Sequence, residues 1–210
     1  FMANILEHSG IAEELYEMMH KWMGRLSGGL AIGTIVICAI FAAMAGISGV
    51  ATITMGLIAL PSMLKKGYSR RLAVGSVSAG GTLGILIPPS VIMILYAFLT
   101  EESVGKLFIA GVFPGILITF LFIAYIGVRC LIQPELGPAI EEHVSFREKM
   151  ISLKAVILPI ALIFLVLGVI YTGICPPTEA SAVGAIGAIV CALIYRKPTW
   201  DVFKKTRERT

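Results

Sequence analysis

The sequence predicts an all-α polytopic membrane protein, and three observations carry that expectation. Apolar residues make up 57% of the chain and charged residues only 14%, against about 25% charged in an ordinary globular domain; mean hydropathy is +0.91. The charges are gathered between long uncharged blocks at 26–64, 72–100, 107–128 and 155–178, with a shorter one at 180–195, and a spanning helix needs about 20 apolar residues. Inside the second block, Ala79-Gly80-Gly81-Thr82-Leu83-Gly84-Ile85-Leu86-Ile87-Pro88-Pro89-Ser90 sets glycines and two adjacent prolines where a helix would have to run. Proline removes a backbone donor and clashes with the preceding turn. In hydrocarbon a broken backbone survives only when packed in protein or lining a cavity. A soluble helical protein is excluded, because too few polar residues remain to cover its surface.

Residues 1–28 read as an amphipathic or connecting helix. Within 5–23, Ile11, Leu15, Met18, Met19 and Trp22 share one face at spacings of three and four, while Glu7, Glu13, Glu14 and Glu17 lie largely elsewhere. Residues 29–64 are expected to form a re-entrant hairpin. Gly46 and Gly49 supply its turn, and Ser48, Thr52 and Thr54 bring oxygens to membrane depth. Lys21 and Arg25 precede the block and Lys65, Lys66, Arg70 and Arg71 follow it. Cytoplasmic loops carry the excess of Lys and Arg, so both ends of the block belong inside.

From there 72–100 crosses outward as a broken transmembrane helix and 107–133 crosses back. Residues 134–154 form a polar cytoplasmic connection. Two further membrane helices occupy 155–195, with Pro176-Pro177-Thr178-Glu179 starting the second, and 196–210 is a basic cytoplasmic tail. This trace puts every one of the 17 Lys and Arg residues inside except Lys106. A single span at 26–64 would invert all that follows. Gly75, Ser76, Gly111, Gly115, Gly184 and Gly187 are expected only to let helices approach. Phe1 opens the chain in place of Met, so the sequence is expected to be a piece of a longer protein.

The net charge of +4 follows topology and gives no sign of nucleic acid. The four cysteines and three histidines show no ligand spacing, so neither a transition metal nor a disulfide is expected. There is no H-E-x-x-H, G-x-S-x-G, Walker loop or pair of acids within a span, so no enzyme is expected. The two interrupted segments carry no charged side chain, which argues against a proton relay. They suit Na⁺, held by carbonyls and hydroxyls, beside half-helix N-termini that attract a carboxylate. Such interrupted segments build substrate and ion sites in transporters.

Gly46-Ile47-Ser48-Gly49-Val50-Ala51-Thr52, Met55-Gly56-Leu57-Ile58-Ala59-Leu60-Pro61, Gly67-Tyr68-Ser69-Arg70-Arg71-Leu72-Ala73 and the run from Gly80 through Pro88-Pro89-Ser90 resemble the large membrane subunit of TRAP transporters (DctM-like). Ser103-Val104-Gly105-Lys106-Leu107-Phe108 and Pro176-Pro177-Thr178-Glu179-Ala180 match as well, so the resemblance covers nearly the whole chain. It implies an ion-transporter-like elevator fold, here the first inverted repeat and the start of the second. It also implies a tripartite Na⁺-coupled secondary transporter in the bacterial inner membrane. Its partners would be a small membrane subunit (DctQ-like) and a periplasmic substrate-binding protein (DctP-like). Its substrates would be organic acids: C4-dicarboxylates, sialic or other sugar acids, keto acids. By analogy Gly46, Ser48, Thr52, Gly80 and Thr82 hold Na⁺, and Ser48, Gly81, Thr82, Pro88, Pro89 and Ser90 wall the substrate site. No cofactor is implied. The other readings are a stand-alone Na⁺-coupled anion transporter of related fold and an uncoupled channel or scaffold.

Overall fold

The computed structural model describes residues 5, 9–140 and 144–195, all helix and connection. The basic tail at 196–210 and the first turns of the 1–28 segment lie outside the described residues. The helices are α1 (Ile11–Met23), α2 (Gly29–Ala45), α3 (Ser48–Lys65), α4 (Arg70–Leu86), α5 (Val91–Thr100), α6 (Val104–Ile132), α7 (Phe146–Ser152), α8 (Lys154–Tyr171) and α9 (Pro177–Ile194), with a short 3₁₀ turn at Pro134–Leu136. Five stretches are long and apolar enough to cross a membrane: Ser48–Lys65, Arg70–Thr100, Val104–Ile132, Phe146–Tyr171 and Pro177–Ile194.

α1 buries Ile11, Leu15, Met18 and Met19 and leaves Trp22 partly exposed, the face expected from their spacing. The continuous helix expected over 5–23 is interrupted: Gly10 takes a left-handed φ of 82°, so α1 starts at Ile11.

α2 is apolar on every side and correspondingly buried on every side, with Leu30, Ile35, Ile37, Phe41 and Met44 almost inaccessible. It is the axis of the molecule, packed by α1, α3, α4, α6 and α8. The outer helices show the opposite pattern. Phe98, Leu99 and Leu131 are 82%, 79% and 76% exposed, and an apolar surface of that extent needs lipid or another protein against it.

The hairpin is closed at its base. The Leu30 N–H donates to the Tyr68 hydroxyl at 3.2 Å, joining residues 38 apart in sequence. Burial pushes the Tyr68 phenol above its usual range, so the oxygen stays neutral. The connection after α6 runs beneath this base. Gly137 O accepts the Gly28 N–H at 2.8 Å and the Ser27 hydroxyl at 2.9 Å, while Cys130 O lies 3.1 Å from the same hydroxyl. The Ser69 N–H reaches Leu136 O at 2.9 Å and the Ile140 N–H reaches Gly24 O at 2.7 Å. Gly28, at φ 78°, has no room for a side chain against Cys130 Sγ. α1 and α7 meet where the Trp22 indole donates to Lys149 O at 3.1 Å. We expect Tyr68→Phe to lower stability by about 1–3 kcal/mol, because it strands a buried N–H without an acceptor. SDS- or heat-induced unfolding of the purified protein measures this.

Two local expectations change. Gly49 does not belong to the hairpin turn: the turn is Gly46-Ile47, and Gly49 is the second residue of α3. The glycines Gly80, Gly81 and Gly84 remain helical in α4, and the break is confined to 87–90. Among the small residues assigned to packing, Gly111 sits against Met93, Gly115 against Ile87 and Gly187 against Leu162, whereas Gly75 meets nothing.

Candidate functional site

The hairpin tip rests on the break between α4 and α5. Gly46 turns the chain with φ 66°; its N–H closes α2 on Ala42 O at 2.9 Å and its carbonyl accepts the Val91 N–H at 3.2 Å. A Cβ on Gly46 would collide with the Pro89 carbonyl oxygen. One turn before the break, a Cβ on Gly84 would lie 2.8 Å from the Ser48 nitrogen and 2.9 Å from its Cα. Real Cβ atoms do not come so close, so this backbone crossing requires glycine. On the same face a Cβ on Gly81 would strike the Thr52 hydroxyl, and one on Gly80 would lie 2.7 Å from Cys38 Sγ.

Pro88 and Pro89 create this site by what they lack. In a continuous helix their N–H groups would donate to the carbonyls of Gly84 and Ile85, and proline has no N–H. The Ile85 carbonyl is recovered by the Ser90 hydroxyl at 2.8 Å, and Ser90 is fully buried. The Gly84 carbonyl has no such helical donor. The Pro88–Pro89 peptide bond is cis. In α3 the Thr52 hydroxyl donates to Ser48 O at 3.0 Å, leaving its oxygen able to accept or to ligate.

Four helix ends therefore converge. α2 and α4 arrive with their C-terminal carbonyls, and α3 and α5 leave with their N-terminal N–H groups. No side chain caps the start of α3 or of α5. Each helix end carries about half an elementary charge, negative at the C-terminus and positive at the N-terminus. The arrangement can hold a cation beside an anion without an ionised side chain.

Gly46, Ser48, Thr52, Gly81, Pro89 and Ser90 come together here, with Pro88 buried in the break. Gly80 packs instead against Cys38 and Ile35 in the body of α2, about two turns short of the tip. Thr82 stands apart on the exposed side of α4, its hydroxyl donating to Ala79 O at 2.7 Å. Thr54 is 2% exposed, and its hydroxyl has no partner among the described residues. Sequence reasoning missed Gly84, Cys38 and the Val91 N–H. The four-residue spacing of Gly80 and Gly84 was a usable signal for the first, since small residues at that spacing mark close helix approach.

A family model described as "Tripartite ATP-independent periplasmic transporter, DctM component" matches residues 1–209. The C4-dicarboxylate TRAP transporter large permease protein DctM of Pseudomonas aeruginosa is 40% identical over 188 residues, covering 89% of this chain and 43% of that protein. The ectoine TRAP transporter large permease protein TeaC of Halomonas elongata is 31% identical, covering 91% and 44%. The isethionate TRAP transporter permease protein DctMQ of Oleidesulfovibrio alaskensis is 33% identical, covering 90% and 29%. The chain spans about half the length of the large permeases it matches.

Proposed function

Because the chain belongs to the DctM-component family of tripartite ATP-independent periplasmic transporters, we propose that it forms one half of the ion and substrate site of a Na⁺-coupled permease. It is a multi-pass protein of the bacterial inner membrane. The complete subunit works with a small membrane subunit and a periplasmic substrate-binding protein, and imports a small organic acid. The observation that carries this reading is the meeting of four helix ends at Gly46, Ser48, Gly84 and Val91.

Na⁺ is a cargo ion here, drawn to the C-terminal ends of α2 and α4 and to hydroxyl oxygens. Gly46, Ser48 and Thr52 frame that position, and Gly80 lets α2 and α4 close together behind it. Ser48, Gly81, Pro88, Pro89 and Ser90 present the neighbouring wall, where the uncapped starts of α3 and α5 attract a carboxylate. Thr82 joins either set only through chain packed on the exposed side of α4. A transporter couples the two when each ion lowers the free energy of the other's binding, and opposite charges on adjacent helix ends do so.

The test is uptake into proteoliposomes holding the complete large subunit that carries this sequence, its small partner and the soluble receptor. The panel begins with C4-dicarboxylates, because the relatives from Pseudomonas aeruginosa and Vibrio cholerae bear that name, and adds ectoine and isethionate. Uptake is expected to require both an inward Na⁺ gradient and the receptor. Uptake indifferent to Na⁺ would remove the coupling assignment. Uptake without the receptor would make this a stand-alone anion transporter.

A further inference from the structure

At the opposite end of α4 from the break, a cavity of about 530 Å³ opens between the start of α4 and the last turns of α6. That is the size of a small-ligand pocket. Two guanidinium groups, Arg71 from α4 and Arg129 from α6, stand at it together with Gln133 and Ser69. Its inner wall is apolar, with Phe122 and Ile126 from α6. Among the described residues no carboxylate lines it and neither arginine has an acidic partner.

Charge accumulates here against the local helix dipole. Arg70 and Arg71 both occupy the first turn of α4, and that turn has no acidic residue. A helix N-terminus is already positive, so arginines there add like charge to like, and an anion relieves it. Arg129, in the last turn of α6, brings a further cation from across the cavity. Arginine suits phosphate because its planar fork donates two hydrogen bonds to two oxygens.

The wall identifies the source of that phosphate. Phe122 and Ile126 continue into the outer surface of α6, where Leu121, Tyr125 and Val128 are 53%, 67% and 56% exposed. A free hydrated anion makes no use of an apolar wall open to the bilayer, whereas an acyl chain does. The basic flanks place this end of the molecule at the cytoplasmic leaflet, where anionic lipids gather and basic pockets between spanning helices hold their headgroups. We propose that this cavity binds an anionic phospholipid, its phosphodiester between Arg71 and Arg129 and one acyl chain along Phe122 and Ile126.

The test is native mass spectrometry of the purified full-length protein, titrated with phosphatidylglycerol, phosphatidylcholine and inorganic phosphate. Wild type is expected to retain one phosphatidylglycerol in clear preference to phosphatidylcholine, without competition from phosphate. Arg71→Gln/Arg129→Gln is expected to weaken phosphatidylglycerol binding about 30-fold, each basic residue near a headgroup contributing about a factor of five. Lys65→Gln/Arg147→Gln removes the same charge elsewhere on the same side and is expected to leave binding unchanged. Arg129→Gln alone, with an expected loss of about fivefold, serves if the double variant does not fold. Equal retention of phosphatidylcholine, equal loss in the control pair, or displacement by phosphate at the lipid's own concentration would each overturn the assignment.

Discussion

Gly46→Val is expected to abolish Na⁺-driven uptake while leaving most of the protein inserted in the membrane. Three costs fall on one residue. A β-branched side chain at φ 66° enters the left-handed region at about 1–2 kcal/mol. Its Cβ meets the Pro89 carbonyl oxygen, which is backbone and cannot rotate aside; overpacking of this kind costs about 1–3 kcal/mol. Separating the tip from the break also loses the Gly46–Val91 hydrogen bond, about 1 kcal/mol. The cheapest relief is to move the hairpin tip off α5, which pulls the C-terminal end of α2 away from the N-terminal end of α5. Uptake should therefore fall at least tenfold, a loss that needs only about 1.4 kcal/mol of lost site stabilisation.

Gly49→Ala is the contrast. It lies three residues away, in α3, with nothing within 4 Å of its added methyl. It should leave uptake within about twofold and raise stability by about 0.4–1 kcal/mol, since alanine loses less backbone freedom on folding. The readout is uptake per molecule of inserted protein in the same vesicles. Equal damage from both variants would mean that the hairpin fails as a whole, and normal uptake by Gly46→Val would remove the tip from the site.

The contrast between these glycines also marks where sequence reasoning stops. That 29–64 doubles back was legible, because charge flanks its two ends and glycine interrupts its middle. Which glycine makes the turn was not, since Gly46 and Gly49 look alike in sequence and only the first takes a left-handed φ. Pro88-Pro89 announced the break for a local reason, the missing donors, and local reasons survive folding. Gly80, Gly81 and Gly84 were read as further breaks, yet their role is tertiary: each is small because another element crosses there.

The outward direction of Thr82 could have been anticipated. A helix turns 100° per residue, so Gly80, Gly81 and Gly84 share a face and Thr82 lies off it. Nothing local pointed to the crossing of Gly28 by Gly137, which joins segments distant in sequence through the Gly28 N–H and the Ser27 hydroxyl on one carbonyl. The charge pattern also ended at the membrane surface: it located the arginines around the α4–α6 cavity but not that Arg71 and Arg129 face one space.

Pro88→Ala/Pro89→Ala is expected to give a protein at least as well inserted as wild type whose uptake is strongly reduced. Alanine restores N–H groups at 88 and 89, the natural donors to the Gly84 and Ile85 carbonyls. It also removes a helix penalty of about 3 kcal/mol per proline. The Ser90 hydroxyl, now held on Ile85 O, loses its claim, and α4 and α5 can join into one helix across 70–100. The tip of the hairpin would then face an unbroken backbone, with no carbonyl end for a cation and no free N–H for a carboxylate. Losing two helix ends, each contributing about 0.3–1 kcal/mol, amounts to about 3- to 30-fold in uptake, and to more where the ends are partly buried.

The single variants separate the two carbonyls. Pro88→Ala occupies the Gly84 carbonyl, which lies where α4 crosses Ser48, and should do most of the damage. Pro89→Ala only replaces the bond that Ser90 already supplies, and should be the milder of the two. Uptake and inserted protein falling in parallel in all three variants would assign the prolines to folding. Uptake lost from a well-inserted double variant, with the singles in this order, would place the transported ion at the break.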